Sequence, residues 1–254
     1  MKNEPIVSLP DKDLMKIAHE LYLPQLSIDC VIFGFHDNQL KVLLLQWKDS
    51  NRWCLPGGFI LKQEHIEESA VRILRDRTGL RNIYLKQFYA FGDPNRARGK
   101  HAFKTSQTPD WLMQRFVTIG YWSLVEFSKV VPVPDEFSKV CTWCEINKVP
   151  TLILDHSEIL ERARQSLRLD LNDYPVGKDL LPKKFTMPEL QRLYETILGK
   201  TLDRRNFQKK VLALGILERQ KERKQGGTHK APFLYCFDIK KYKKALNEGL
   251  KFGF

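Results

Sequence analysis

With 254 residues, 43% of them apolar and 28% charged, the chain is long enough for two modest domains, each burying a core of its own. Residues 1–16 lack the apolar stretch of a signal peptide, no later run approaches the roughly 20 apolar residues that span a bilayer, and five cysteines, an odd number, do not suit a secreted disulfide framework. The sequence therefore reads as soluble and cytoplasmic with reduced thiols and no membrane partner, and its net charge of +12 sits in one place: from Lys183 to the end, 18 Lys and Arg stand against 7 Asp and Glu.

In chain order, Leu14, Ile17, Ala18 and Leu21 recur at helical spacing after Asp11, which is placed to cap, and Pro24 stops the pattern. Residues 10–23 are read as a short amphipathic helix. Residues 27–35 and 40–47 are β-rich runs joined by His36, Asp37, Asn38 and Gln39, whose Asp-Asn pair suits a hairpin loop. Residues 64–77 put Ile66, Ala70, Ile73 and Leu74 on one helical stripe, with Gly79 positioned to end the helix. Strands are expected at 84–91, 116–125 and 140–144, and 98–114 is a long polar loop of the kind that often carries function. A helix over 155–169 has Asp155 and Glu158 in capping-box spacing and Ile159, Ala163 and Leu167 on its apolar face. The Pro- and Gly-marked stretch beginning at Tyr174 sets the boundary between domains 1–173 and 174–254.

One motif in the first domain is specific. Gly58 is followed after five residues by Glu64, after seven more by Arg72, and then by Ile73, Leu74, Arg75, Asp76, Arg77, Thr78, Gly79 and Leu80. This resembles the Nudix box, G-x5-E-x7-R-E-U-x-E-E-x-G-U with U aliphatic, and the resemblance implies a mixed sheet between helices with the box as loop, helix and turn. In that family, glutamates at the positions of Ile73, Asp76 and Arg77 bind the divalent metals that assist pyrophosphate hydrolysis. Here only Asp76 can ligate, and a guanidinium at position 77 would repel a cation about 4 Å away by on the order of 4 kcal/mol. The expectation is no catalytic residue, no metal site and no cofactor, but a cleft that still binds a small molecule. Trp53 and the turn bearing Asp93, Asn95 and Arg96 are the candidate effector contacts, an aromatic platform beside polar groups that suits a pentose or an ADP-ribose-like nucleotide. The competing reading of the turn is ordinary turn chemistry. Cys141 and Cys144 have no second Cys or His pair at zinc-ligand spacing and are read as structural.

In the second domain Thr186 and Glu189 form a capping-box pair, Pro188 falls in the first turn, Leu190, Leu193, Tyr194 and Ile197 form a stripe, and Gly199 ends the helix. A second helix opens at Asp203 after a four-residue turn containing Gly, which is helix-turn-helix spacing. Its Phe207, Val211 and Leu214 share one face, whereas Arg204, Arg205, Asn206, Gln208 and Lys209 are candidates to read base edges. Strands at 216–219 and 233–237 flank a basic loop in which Arg223, Lys224, His229 and Lys230 are candidate wing contacts to double-stranded DNA. The fold class is therefore α+β, a Nudix fold followed by a winged helix-turn-helix. Residues 180–238 also resemble the winged-helix half of the Nudix-related bacterial transcription regulators, which implies a homodimer on an operator with an effector of the NAD-metabolism or arabinose type. Two other classes stay open: a pyrophosphohydrolase of nucleotide sugars with a basic accessory domain, and a protein-interaction adaptor.

Overall fold

A computed structural model gives the structure of the chain and describes residues 19–48, 51–81, 84–96, 114–135, 137–173, 178, 180–224 and 231–248. Strand β1 (Tyr22–His36) is apolar toward both sides: Val31 and Phe33 face one layer, Ile28, Cys30 and Ile32 the other, and all five are fully buried. That pattern makes it a central strand. It turns back into β2 (Gln39–Trp47) through Asp37 and Asn38, both in the left-handed region at φ 51° and 59°, as a two-residue hairpin turn requires. β1 also pairs antiparallel with β4 (Gly57–Leu61) and parallel with β6 (Val117–Val125), while β2 carries β3 (Trp53–Cys54) and β7 (Ser138–Glu145), and β5 (Leu85–Phe91) closes the far edge along β6.

Two helices cover this seven-stranded sheet. On one face α1 (Ile66–Thr78) packs Ala70, Ile73 and Leu74 against Ile28, Cys30, Ile32 and Ile60. On the other, α2 (His156–Asp173) buries Ile159, Ala163, Leu167 and Leu171 beside Val31 and Phe33. A three-stranded sheet follows, in the order β8 (Phe185–Thr186), β10 (Phe233–Phe237), β9 (Leu217–Arg223), with α3 (Met187–Leu198) and α4 (Arg204–Ala213) packed on it and α5 (Ile239–Glu248) behind. The cores of the two units are continuous: one apolar cluster runs from Val31 and Leu40 through Leu167, Leu171 and Leu181 to Leu193, Tyr194 and Phe207.

Several elements depart from the sequence reading. Residues 10–18 of the expected first helix lie outside the described residues and 19–21 are helical, but Tyr22 and Leu23 belong to β1 instead, which runs on past a bulge with Gln25 at φ 60° to find backbone partners on β4. β4 itself carries two glycines and no alternation, so only its pairing reveals it. The long loop at 98–114 lies outside the described residues except for Gln114. Asp155 does not close a capping box: its carboxylate is turned to Arg96, and Glu158 pairs with Arg162. β9 continues to Arg223, so Lys221 and Arg223 stand on a strand rather than in the wing loop. No helix among the described residues is long and apolar enough to cross a membrane.

Candidate nucleic-acid interface and effector cleft

The helix pair is held as its caps dictate. Glu189 N donates to Thr186 Oγ1 at 3.3 Å, Thr186 N donates to Glu189 Oε2 at 2.7 Å, and Gly199, left-handed at φ 70°, donates to Glu195 O at 2.8 Å. Asp203 caps α4 by accepting from Asn206 N at 2.9 Å. Phe207 and Val211 anchor α4, and the Phe207 ring meets Tyr194 edge-on with centroids 5.5 Å apart. With that face committed, Arg204, Arg205, Asn206 and Lys209 are exposed and Gln208 is half-buried on the outward side. Such a row of donors on a rigid helix suits base edges and phosphates.

At the base of the wing the side chains already have partners. Lys224 Nζ bonds Glu189 Oε1 at 2.5 Å, tying wing to helix, and Arg223 donates to Ala231 O at 3.1 Å with its guanidinium 4.0 Å from the Phe233 ring centroid. His229 and Lys230 lie outside the described residues. Burial opposes ionisation of Glu189, but the hydrogen bonds from Lys224 and Thr186 outweigh it and hold the carboxyl below the ordinary glutamate range. A carboxyl depressed in the folded state adds stability that is present above its unfolded pKa and is lost as pH falls through the lower folded value. Thermal melts of the full chain are accordingly expected to lose stability below about pH 4.3, with Glu189→Gln removing part of that acid-dependent loss.

In the first unit the Nudix-like loop and helix are clamped together. Arg72 forks onto Glu64 at 2.7 and 2.8 Å and reaches Phe59 O at 2.9 Å, and Ser69 Oγ donates to Glu64 at 2.5 Å. Burial opposes the Glu64 charge, yet Arg72 and Ser69 keep its carboxyl below the usual range. Of the candidate effector residues, Arg96 reaches the start of α2 through Asp155, and Trp53 meets the chain just before it. Trp53, half-buried on β3, accepts from Ile153 N at 2.9 Å through its carbonyl. Asp93 and Asn95 are exposed, with Asn95 N bonded to Asp93 Oδ1 at 2.6 Å in a local turn. Arg96 is different: it is buried, its Nε and Nη2 donate to Asp155 at 2.7 and 3.0 Å, its Nη1 donates to Phe116 O at 3.0 Å, and Asp29 lies 3.8 Å away. His156 Nδ1 accepts from Leu55 N at 3.0 Å, and its Nε2 is 3.8 Å from Asp29. A Cβ on Gly57 would fall 2.6 Å from Asp29 Oδ1 and 2.8 Å from Ile28 O, so β4 admits only glycine there.

Comparison with known proteins places this arrangement. Residues 23–163 match the model of the NUDIX domain, and residues 177–237 match that of the NrtR DNA-binding winged helix domain. An ADPR responsive transcriptional repressor of Acinetobacter baylyi is 30% identical over 86% of this chain and 84% of its own. The chain belongs to the NrtR family of Nudix-related transcription regulators. The crystal structure of Shewanella oneidensis NrtR complexed with a 27-mer DNA matches at TM-score 0.68 with 26% identity, over 86% of this chain and 96% of that one. A MutT/nudix family protein of Enterococcus faecalis shares the fold, at TM-score 0.62 and 22% identity over 91% of this chain and 95% of that one.

Against the Nudix half of an NrtR-type chain, the metal that hydrolytic relatives use can be tested on the donor set present. Ile73 is buried, and its Cδ1 would lie 3.0 Å from a Cβ built on Gly58, so this position is core and not cleft. Asp76 accepts from Arg75 Nε at 3.2 Å, and Arg77 Nη2 stands 3.9 Å from Asp135. Of the three family positions only Asp76 offers an oxygen ligand, and Arg75 already holds it, which does not fit a hard divalent cation that takes several oxygen ligands. Cys141 and Cys144 sit at an odd offset on β7, pack against different layers of the core and cannot converge on one ligand. Sequence reasoning overlooked Asp29 and His156 as members of the buried cluster around Arg96; the signal was a lone Asp inside the apolar run of β1.

Proposed function

We propose that the chain is an operator-binding transcriptional repressor that works as a homodimer, with a Nudix domain that binds ADP-ribose without hydrolysing it and thereby lowers operator affinity. The observation that carries DNA binding is the exposed row of Arg204, Arg205, Asn206 and Lys209 on a capped second helix of a helix-turn-helix, in the part of the chain that holds almost all the excess positive charge. ADP-ribose is favoured by the ADPR-responsive Acinetobacter relative, and the pentose arm of the earlier expectation, arabinose included, finds no support and is dropped. Trp53, Asp93 and Asn95 are assigned to face the effector, with Arg96 holding their wall in place. Loss of hydrolysis is supported by Ile73 and Arg77 at two of the family's metal-binding positions.

The test is fluorescence anisotropy on a duplex that the protein itself selects from a randomised pool. ADP-ribose is expected to weaken binding by roughly 5- to 150-fold, a coupling of about 1–3 kcal/mol, and arabinose to leave it unchanged. Incubation of ADP-ribose with Mg²⁺ or Mn²⁺ is expected to release no AMP. Turnover that disappears in Asp76→Asn would instead favour a hydrolase.

A further inference from the structure

Two rigid elements begin at one buried polar cluster of the Nudix unit and end on one helix of the DNA-binding unit. The cluster is Asp29, Arg96, Asp155 and His156, joined by the contacts described above. From Asp29, β1 runs without interruption to His36, roughly 23 Å at about 3.3 Å per residue, and the turn bearing Asn38 follows at once. From Asp155 and His156, α2 runs to Arg168, roughly 20 Å at about 1.5 Å per residue. Both far ends land on α3. Arg192 Nη1 donates to Asn38 Oδ1 at 3.3 Å, Thr196 Oγ1 lies 3.3 Å from Asn38 O, and Arg168 Nε donates to Ile197 O at 3.0 Å.

The ends differ in strength. Arg168 grips the last turn of α3 next to the apolar contact of Leu167 and Leu171 with the shared core, which suits a pivot. The Asn38 contact is long, exposed and easily surrendered, because the single Thr196 hydroxyl proton has a nearer acceptor in Arg192 O at 2.7 Å. Beside both contacts is a crevice of about 350 Å³ lined by Asn38, Asn147, Arg164, Arg168 and Thr196. Its charged groups already have partners: Arg164 is on Glu161 at 3.0 Å, Glu145 on Lys148 at 2.7 Å, and Glu195 accepts from Leu202 N at 2.9 Å. An open, self-satisfied crevice beside a weak polar contact gives α3 room to turn about the Arg168 end.

Resting on the functional reading above, we infer that Asn38 is a positioning residue for the effector response: through Arg192 and Thr196 its turn holds α3, and with it the recognition helix, in the orientation that ligand in the cleft alters. On this inference, ligand beside the Asp29, Arg96, Asp155 and His156 cluster shifts the common origin of β1 and α2, and the Asn38 contact passes that shift to α3.

Asn38→Gly keeps the left-handed turn and deletes only the side-chain acceptor, whereas Asn38→Asp keeps both. In full-length protein on the selected duplex, Asn38→Gly is expected to bind ADP-ribose and duplex each within about threefold of wild type, while the ratio of duplex affinities without and with ADP-ribose falls at least fivefold toward one. Asn38→Asp is expected to keep the wild-type ratio. Hydrogen exchange of the free chain is expected to quicken in residues 192–199 of the glycine variant only. A wild-type ratio in Asn38→Gly, or a lost ratio in a folded Asn38→Asp, overturns the assignment. If wild type itself shows no ADP-ribose effect, the functional reading falls, and the contact between Asn38 and α3 is then judged on the exchange data alone, where unchanged exchange overturns it.

Discussion

Replacing Arg204 and Arg205 together with alanine is expected to weaken binding to the selected duplex by about 10²–10⁴-fold at physiological salt, while the protein keeps its melting temperature. Each well-placed side chain that reads a base edge is worth about 1–3 kcal/mol of discrimination, so two of them account for that range. The fold is spared because both side chains are exposed and α4 is anchored by Phe207, Val211 and the Asp203 cap on its other side. Binding to an unrelated duplex is expected to fall far less, since Lys209 and the remaining basic surface of the unit still neutralise phosphate. Anisotropy titrations over a salt series separate the two parts: the sequence-dependent gap closes while a salt-dependent residue of binding stays. A double variant that still prefers the selected duplex by the wild-type margin would show that α4 is not the reading helix.

What could be read from the sequence was whatever is written in local chemistry. Thr186, Glu189 and Gly199 bound α3 because capping needs only neighbours in the chain, and the Gly58 to Leu80 frame announced its loop and helix because Arg72 must reach Glu64 across one fixed span. Elements defined by distant partners were hidden. β4 has no strand pattern of its own and exists through β1, and α5, unanticipated, depends on Asp238 accepting from Lys240 N and Lys241 N and on Tyr242 and Ala245 reaching Ile216. The candidate effector site was legible in outline only. Its turn at 93–96 stood out, but that Arg96 points inward follows from Asp155, which lies 59 residues later and reads locally as a helix cap.

That inward turn makes Arg96 the position with the largest expected effect on stability. Arg96→Ala is expected to destabilise the full chain by about 3–5 kcal/mol, the usual consequence of removing one partner from a buried ion pair. The Arg96, Asp29 and Asp155 side chains are only 6%, 10% and 13% exposed, so the deletion leaves two carboxylates without their shared cation and with little water. Arg96→Lys restores the charge without the fork and is expected to fall between the two. For a chain of this size the loss corresponds to a fall in melting temperature of roughly 6–20 °C. The decisive measurement is the melt without ligand. A side chain that only touched the effector would leave that melt unchanged and shrink just the ADP-ribose-induced shift. Combining Arg96→Ala with Asp155→Asn is expected to recover part of the loss, because the second change removes one of the orphaned charges, and strict additivity of the two would show that the pair does not act as a unit.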